Sequence, residues 1–308
     1  MTETTSKPPG IIGIVGLGNM GLAIAERLSA SFDVLGCDLS PERQAEASKA
    51  RIKVADIDSI TTSCSTVLLS LPHPSASMAV TTAIAAKPGV VTRVIETSTV
   101  TPKDIVRIKG ILGSADVALI EGAILAGVAQ MRAGSAGLII AGDGAHVEEI
   151  QPFFDALTPK QTVLTVPGTA MAAKVINNAV AHVVMVLLSE SVAMAEATGL
   201  DPQLIVDLLS SPDGGLMRPL VHRVGERVFE GNYEGGMSLE AARKDSVLAQ
   251  QLAQDEGVPV FTIPAAHTVY ELAMAQGWNR EDYAALAKLW EKWQHTSFVR
   301  LKDDGDVN

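Results

Sequence analysis

Short apolar runs alternate with amphipathic stretches over the first half of the chain. The runs are continuous, which is typical of parallel strands that are buried on both faces. They begin at residues 11, 33, 66, 92, 117 and 137, and read IIGIV, DVLGCD, TVLLSL, TRVIET, VALIEG and GLIIAG. Between the first two runs, apolar residues at helical spacing over Leu22–Phe32 indicate a strand–helix–strand unit. The first half is therefore predicted to be a doubly wound α/β domain with a mostly parallel sheet.

The pattern changes after Gly168, where the strand signals stop. Residues 170–197 contain no Gly or Pro and predict one long helix. Stretches rich in Gly and Pro separate the further predicted helical segments, which are 201–210, 238–256, 263–276 and 280–298. We therefore expect an α/β domain over 11–168 and an all-α domain over 169–301, joined by the long helix. A disordered tail is expected at 1–10 and an acidic tail at 302–308.

Composition limits the classes of function that fit. The chain has 308 residues, of which 47% are hydrophobic and 19% charged, so it can form two folded domains. The net charge of -11 disfavours nucleic acid and anionic membranes as partners. The longest apolar run, Ala179–Leu188, contains His182 and is shorter than the roughly 20 residues that a membrane span needs, so no transmembrane helix is expected.

The compartment and the metal content follow from a few residue types. The two cysteines, Cys37 and Cys64, fit reduced buried side chains better than a disulfide framework. The first ten residues lack the apolar stretch of a secretion signal, so a cytoplasmic protein is expected. The histidines and cysteines show no metal-ligand spacing, and we predict no metal site.

A glycine-rich turn follows the first predicted strand directly and opens a helix. In such a turn the first glycine permits the tight bend, the second lets the backbone approach a pyrophosphate, and the third allows close packing of the helix. The free amides at the start of the helix attract the phosphates. This context predicts a Rossmann domain that binds a dinucleotide through the turn, whose residues are Gly16, Leu17, Gly18, Asn19, Met20 and Gly21.

Asp38 ends the second predicted strand, where an acidic residue accepts hydrogen bonds from the ribose hydroxyls and repels a 2′-phosphate. This position favours NAD over NADP as the cofactor. Two alternatives stay open: Asp38 is an ordinary surface or helix-capping residue, or Ser40 and Arg43 accommodate a phosphate.

With three later segments, the glycine turn resembles the β-hydroxyacid dehydrogenase family, which includes 3-hydroxyisobutyrate dehydrogenase and tartronate semialdehyde reductase. Leu71-Pro72 resembles the family's Leu-Pro turn, which implies that both residues lie beside the adenine-ribose portion of the cofactor. The stretch 96–102, ETSTVTP, is similar to the family's acidic-x-Ser-Thr-x-x-Pro stretch. The resemblance implies that Ser98 and Thr99 lie near the nicotinamide. Taken without it, these hydroxyls would be interpreted as a helix cap before Pro102.

The stretch 168–178, GTAMAAKVINN, resembles the family's Gly-x-Gly-x-x-x-Lys-x-x-Asn-Asn segment, with Ala170 in place of the second glycine. The resemblance implies that Lys174 is the general acid and base and that Asn178 orients the substrate, with Asn177 also in the substrate site. Four residues apart on a helix, Lys174 and Asn178 share a face.

Lys244-Asp245 resembles the family's Lys-Asp pair, which implies that Lys244 closes over the nicotinamide side of the cofactor. The alternative is a pair of exposed charges on an amphipathic helix. We expect Lys244 to meet Lys174, Asn178 and Ser98 in a cleft between the domains.

The substrate loop departs from the family pattern Asp-x-Pro-Val-Ser-Gly-Gly. The aligned stretch is Glu121–Gly127, EGAILAG, in which Leu125 replaces the serine and Ala126 replaces one glycine, while Gly127 remains. A carboxylate would lose a hydrogen-bond donor here, and the pocket would become less polar. The alternative is that Leu125 turns into the core and the loop shifts by one residue.

The resemblance implies an NAD(P)-dependent oxidoreductase that acts on a 3-hydroxy acid or a related small hydroxy or carbonyl compound. Leu125 suggests a reductase of imines or less polar carbonyls as the alternative, whereas Lys174 argues against it. A non-catalytic nucleotide-binding scaffold is the second alternative. The family resemblance further implies self-association, as a dimer or tetramer, through the long helix.

Overall fold

The computed structural model describes residues 10–300. The predicted acidic tail and all but the last residue of the predicted N-terminal tail lie outside this range. By contacts the chain divides into two compact units, and their boundary lies between Val180 and Ala181. This boundary lies inside the long helix, whereas the expected domain boundary was at its start.

Eight strands form one sheet in the first unit, in the order β3-β2-β1-β4-β5-β6-β7-β8. Neighbouring strands are parallel except β6 and β7, which are antiparallel. The strands are β1 Ile11–Val15, β2 Asp33–Cys37, β3 Lys53–Val54, β4 Thr66–Leu69, β5 Arg93–Glu96, β6 Ala118–Leu125, β7 Gly137–Ala141 and β8 Gln161–Leu164. The mostly parallel, doubly wound sheet that the sequence predicts is therefore confirmed.

Helices connect the strands and cover both faces of the sheet. In the first unit they are α1 Asn19–Ser29, α2 Pro41–Lys49, α3 Ile57–Ser63, α4 Pro74–Ala86, α5 Pro102–Gly113, α6 Val128–Ala133, α7 Gly144–Glu149 and α8 Gln151–Leu157. Successive residues of β4 point to opposite faces, so Leu68 joins one apolar cluster while Val67 and Leu69 join another. Burial on both faces explains why the strands are continuous apolar runs.

The long helix α9, Thr169–Ala197, begins in the first unit and continues into the second. The second unit is otherwise helical, as the sequence predicts. Its helices are α10 Pro202–Ser210, a π-helix Pro219–Val228, α11 Leu239–Asp255, α12 Thr262–Met274, a 3-10 helix Tyr283–Leu286 and α13 Ala287–Gln294. The expected single helix over 280–298 is wrong in detail, because a 3-10 turn precedes α13 and His295 adopts a left-handed conformation after it.

By length and composition alone, α9 is long and apolar enough to cross a membrane. Core helices of globular proteins pass the same test. Polar contacts hold the helix at both ends: Lys174 donates a hydrogen bond to the Thr97 carbonyl, and Glu190 accepts from the amides at the start of α12. These contacts tie each part of α9 to the folded unit in which it lies, and the absence of a membrane span stays a prediction.

Candidate active site

The glycine turn between β1 and α1 has two crowded glycines and one open one. Gly16 has a φ of 96°, and a Cβ there would clash with the Ser70 carbonyl oxygen. A Cβ on Gly21 would clash with the Gly16 carbonyl. Gly18, in contrast, has extended backbone and lies at the N-cap of α1, where no other part of the described chain comes within 4 Å of an added Cβ. The open space in front of the first turn of α1 therefore fits a pyrophosphate.

The other residues of the turn contribute in different ways. The Leu17 side chain is fully buried in the core, so only its backbone faces the turn. The Leu17 amide donates a 2.7 Å hydrogen bond to Asp38 Oδ2. Asn19 is exposed and accepts a hydrogen bond from Arg43, whereas Met20 is half-buried and lines a neighbouring cavity.

Asp38 follows β2 directly, and the structure places it against the glycine turn. Besides the Leu17 amide, its carboxylate accepts a 2.8 Å hydrogen bond from the Ser40 amide. Each carboxylate oxygen has a second lone pair, so the group can still accept bonds from ribose hydroxyls. Arg43, the cation nearest in sequence, is paired with Glu46 at 2.8 Å.

A cavity of about 440 Å³ lies beside the turn, at the carboxyl ends of β4, β5 and β6. Nine of the predicted site residues line it: Met20, Leu71, Ser98, Thr99, Leu125, Ala126, Lys174, Asn177 and Asn178. Ligands of doubly wound sheets bind in such crevices at the carboxyl edge. Pro72 and Gly127 are exposed outside this lining, each next to a residue that belongs to it.

Lys174 reaches the cavity from the second turn of α9. It is only 8% exposed, and its Nζ donates a 2.8 Å hydrogen bond to the Thr97 carbonyl. Burial lowers the pKa of Lys174 to about 8, although the nearby Glu96 carboxylate acts in the opposite direction. The amine can therefore gain or lose a proton near neutral pH, in a cavity that also contains two amide side chains.

Ser98 is held firmly at the end of β5. Its Oγ accepts a 2.8 Å hydrogen bond from the Leu71 amide, and its own amide donates to Glu96 Oε1. Ser98 thus ties the Leu-Pro turn to the end of β5, while Thr99 is exposed. The alternative that either residue caps the following helix is wrong, because Thr101 forms a capping box with Asp104 at the start of α5.

The stretch that was expected to be a substrate loop is mainly strand. Glu121 to Leu125 belong to β6, and only Ala126 and Gly127 connect β6 to α6. Leu125 is half-buried and lines the cavity together with Ile124. The apolar side chain thus contributes to the cavity wall, where the family pattern has a serine.

Two buried glutamates, which are register partners on β5 and β6, were not predicted as site residues. Glu96 is fully buried at the end of β5, and Glu121 is 2% exposed in β6. Glu121 accepts hydrogen bonds from the Gly168 and Met171 amides and so fixes the start of α9. The sequence did contain one signal for both residues, namely an acidic residue within an otherwise apolar strand. Three further lining residues, Ser70, Thr97 and Ile124, carry no comparable signal because they continue ordinary strand patterns.

Lys244 lies on α11, in the second unit. Its side chain is 67% exposed, and its Nζ lies 3.1 Å from Asp245 Oδ1. Its approach to Lys174 and the cofactor stays a prediction. Within residues 10–300, no group of three or more His, Cys, Asp or Glu side chains is arranged to hold a metal ion.

Two family models together match most of the chain. Residues 11–166 match the NAD binding domain of 6-phosphogluconate dehydrogenase. Residues 168–290 match a model described as the NAD-binding domain of NADP-dependent 3-hydroxyisobutyrate dehydrogenase. The first match alone covers half of the chain and shows a nicotinamide dinucleotide-binding domain.

Known proteins with related sequences include several dehydrogenases. The NAD-dependent L-serine dehydrogenase of Pseudomonas aeruginosa is 26% identical over 66% of this chain and 70% of that protein. The 2-(hydroxymethyl)glutarate dehydrogenase of Eubacterium barkeri is 23% identical over 91% and 95%. An imine reductase from Pseudomonas sp. has the same fold, with a TM-score of 0.83 and 15% identity over 92% of this chain and 100% of that one. The chain is therefore a nicotinamide-dependent oxidoreductase that belongs to the β-hydroxyacid dehydrogenase family.

Proposed function

We propose that the protein transfers a hydride between NAD and a small hydroxy or carbonyl compound, with 3-hydroxy acids as the first class of substrate to test. The observation that carries the proposal is the environment of Lys174. A buried amine with a pKa of about 8 shares a cavity with Asn177 and Asn178, beside the glycine turn.

In the oxidative direction, the neutral amine of Lys174 accepts the proton of the substrate hydroxyl. The bound cofactor supplies the acceptor for the hydride that leaves the carbinol carbon. In reduction, the ammonium of Lys174 returns the proton to the carbonyl oxygen. The side-chain amide of Asn178, one helical turn beyond Lys174, orients the reacting oxygen or a neighbouring polar group.

Three features around Asp38 support NAD over NADP. The carboxylate repels a 2′-phosphate. The next residue, Leu39, is 97% exposed and supplies no positive charge to that position. Arg43 is already paired with Glu46. Titration with both reduced cofactors tests the preference, and tighter binding of NADPH would contradict it.

The test of the reaction is the Lys174→Ala variant. Turnover is followed at 340 nm with panels of hydroxy acids, aldehydes and imines, and cofactor binding is measured separately. We expect loss of a general acid and base to reduce kcat about 10²–10⁴-fold while the NADH affinity is retained. Lys103→Ala, at an exposed position on α5, is the matched control. Near-normal turnover of the Lys174 variant contradicts the proposal, and cofactor binding without turnover by the wild type would indicate a scaffold.

Leu125 favours a second candidate, the reduction of imines or less polar carbonyls. Its isobutyl group occupies the cavity wall where the family pattern has a serine, so a carboxylate gains no hydroxyl donor there. The variant Leu125→Ser distinguishes the candidates. Higher kcat/KM for hydroxy acids indicates that Leu125 excludes them, whereas a loss on hydroxy acids shows that the apolar wall already suits them.

We further propose that the protein self-associates through α9. Apolar side chains on this helix are exposed in the single chain, namely Ile176, Val180, Val183, Met185, Val186 and Val192. A helix that exposes this much apolar surface normally packs against another protein surface. The family resemblance implies that this surface belongs to a second copy of the chain.

A further inference from the structure

Glu96 is a fully buried carboxyl group that the proposed reaction does not use. It ends β5, and its Oε1 accepts a 2.8 Å hydrogen bond from the Ser98 amide. Its Oε2 is also buried and has no hydrogen-bond partner within the described part of the chain. Burial of an incompletely paired carboxyl group is costly, so its presence calls for a physical explanation.

Lys174 is the positive charge that acts on Glu96. The hydroxyls of Ser77, on α4, and Ser98 lie against the carboxyl group, and Lys174 acts on it from α9. The Lys174 Nζ is bonded to the carbonyl of Thr97, the residue that follows Glu96. Since Glu96 and Lys174 are 0% and 8% exposed, little water screens the attraction between them.

The two titrations are therefore linked. Burial raises the pKa of Glu96, and the polar groups of Ser98 and Ser77 and the charge of Lys174 oppose that rise. Burial lowers the pKa of Lys174, and Glu96 is the charged group that opposes this shift. In its ionised form, Glu96 thus favours the ammonium form of the amine.

We propose that Glu96 is a positioning residue whose buried negative charge stabilises the ammonium form of Lys174 and thereby sets the pH range in which this amine exchanges protons. The catalytic consequence rests on the proposed function, whereas the electrostatic coupling does not. When Lys174 accepts a substrate proton, the new positive charge forms on a side chain that is only 8% exposed, and Glu96 supplies the compensating charge.

Glu96→Gln separates this role from a purely structural one. The glutamine oxygen can still accept the hydrogen bond from the Ser98 amide, so the tie between β5 and the Leu-Pro turn is kept. Only the negative charge is removed. If Glu96 only holds β5 and the Leu-Pro turn together, the Lys174 pKa should change little in this variant. If its charge acts on Lys174, the Lys174 pKa should fall.

The experiment is an NMR pH titration of the whole protein with ¹³Cε-labelled lysine. The Lys174 signal is assigned by its absence in Lys174→Met. We expect Glu96→Gln to lower the Lys174 pKa by about 1 unit, because loss of a buried opposite charge that acts on an amine produces shifts of this size. Glu96→Asp keeps the charge and should restore most of the wild-type value.

Glu121→Gln is the matched control. Glu121 is also buried, and it bonds directly to the start of α9, whereas Glu96 is the charged group that acts on the pKa of Lys174. We expect the Lys174 pKa to be unchanged in this variant. A comparable fall in both variants would show that structural disturbance moves the titration and would overturn the proposal.

The remaining outcomes separate this inference from the proposed function. An unchanged Lys174 pKa in folded Glu96→Gln, checked by thermal unfolding and NADH binding, overturns the role of Glu96 even if Lys174 is catalytic. A lowered pKa in a protein that turns over no substrate supports the coupling and counts against the proposed reaction. If turnover is found, the pH at which kcat changes should shift by the same amount as the Lys174 pKa measured by NMR.

Discussion

Two glycines of the turn differ in the space around them, and their substitution should separate folding from cofactor binding. Gly18→Ala places a methyl group in open space, so we expect unchanged thermal stability but at least about tenfold weaker NADH binding, because the methyl group occupies the approach of the pyrophosphate. Gly21→Ala forces a clash with the Gly16 carbonyl and should destabilise the fold by about 1–3 kcal/mol. Calorimetry and NADH titration measure the two effects. Equal loss of stability in both variants would refute this distinction.

The buried Lys174 should reduce the stability of the folded protein. Its pKa falls from 10.5 to about 8 on folding, which corresponds to a penalty of about 3 kcal/mol below pH 8. The unfolded chain binds the proton more tightly between these two values, so the penalty disappears as the pH rises from 8 to 10.5. Lys174→Met should therefore increase the free energy of unfolding by about 1–3 kcal/mol at pH 7, and by progressively less above pH 8. Urea denaturation at several pH values measures the difference, and a constant difference would contradict the assignment.

The titration of Lys174 should also affect turnover, and its effect on kcat should be opposite for oxidation and for reduction. Oxidation requires the neutral amine, so its kcat should rise with pH through about 8. Reduction requires the ammonium, so its kcat should fall over the same interval. Initial rates in both directions, measured at saturating cofactor, test this. Rates that change in the same direction would exclude Lys174 as the proton-transfer group.

At the scale of elements, Glu190 acts as a cap from a distant part of the chain. Its carboxylate accepts hydrogen bonds from the Phe261 and Thr262 amides at 2.6 and 2.8 Å, and α12 has no side-chain cap of its own. Burial alone would raise the pKa of Glu190, but the backbone amides at the start of α12 outweigh it and hold the pKa below its usual value. This cap explains why α12 begins where the local sequence gives only a weak start signal.

Glu190→Gln should therefore lower the free energy of unfolding by about 1–3 kcal/mol at pH 7, because a charged acceptor is replaced by a neutral one. The stabilisation by Glu190 should also decline in the wild type as the pH falls through its lowered pKa. Urea denaturation of the wild type and the variant at pH 7 and at acidic pH measures both effects. Glu196→Gln, at an exposed position on the same helix, is the control, and an equal effect of the two variants would contradict the capping role.

Elements with a strong pattern were predictable, and short ones were not. The continuous apolar runs predicted six strands, and the 28 residues without Gly or Pro predicted α9. Lys53–Val54 is only two residues long, and Gln161–Leu164 is half-exposed at the sheet edge, so neither forms an apolar run. The antiparallel direction of β7 could not be predicted from the sequence either, because the direction of a strand depends on its pairing and not on residue type.

The site residues could be predicted where the residues that act together lie close to one another in the sequence. The glycine turn and the Lys174–Asn178 spacing follow from backbone geometry and helical periodicity. Glu96 and Glu121 were missed because their importance depends on burial and, for Glu121, on hydrogen bonds with residues 47 and 50 positions away. The cavity itself could not be predicted, since five separate segments come together to form it.

For the whole molecule, net charge and exposed apolar surface have opposite effects on self-association. The net charge of -11 disfavours association at low ionic strength, whereas the exposed apolar residues of α9 favour it. Salt screens the charge repulsion but leaves the burial of apolar surface effective. Self-association should therefore persist, or strengthen, as the ionic strength rises.

Sedimentation in the ultracentrifuge tests this association. We expect the wild type to form a dimer or tetramer, and Val183→Arg to shift it toward the monomer, because burying an unpaired guanidinium in an apolar interface is costly. Val183 is 57% exposed in the single chain. Val106→Arg provides the control: Val106 is 66% exposed and belongs to α5 and not to α9, so the variant should keep the wild-type oligomer. A monomeric wild type, or a Val183 variant that associates as tightly as the control, would show that another partner covers the apolar surface of α9.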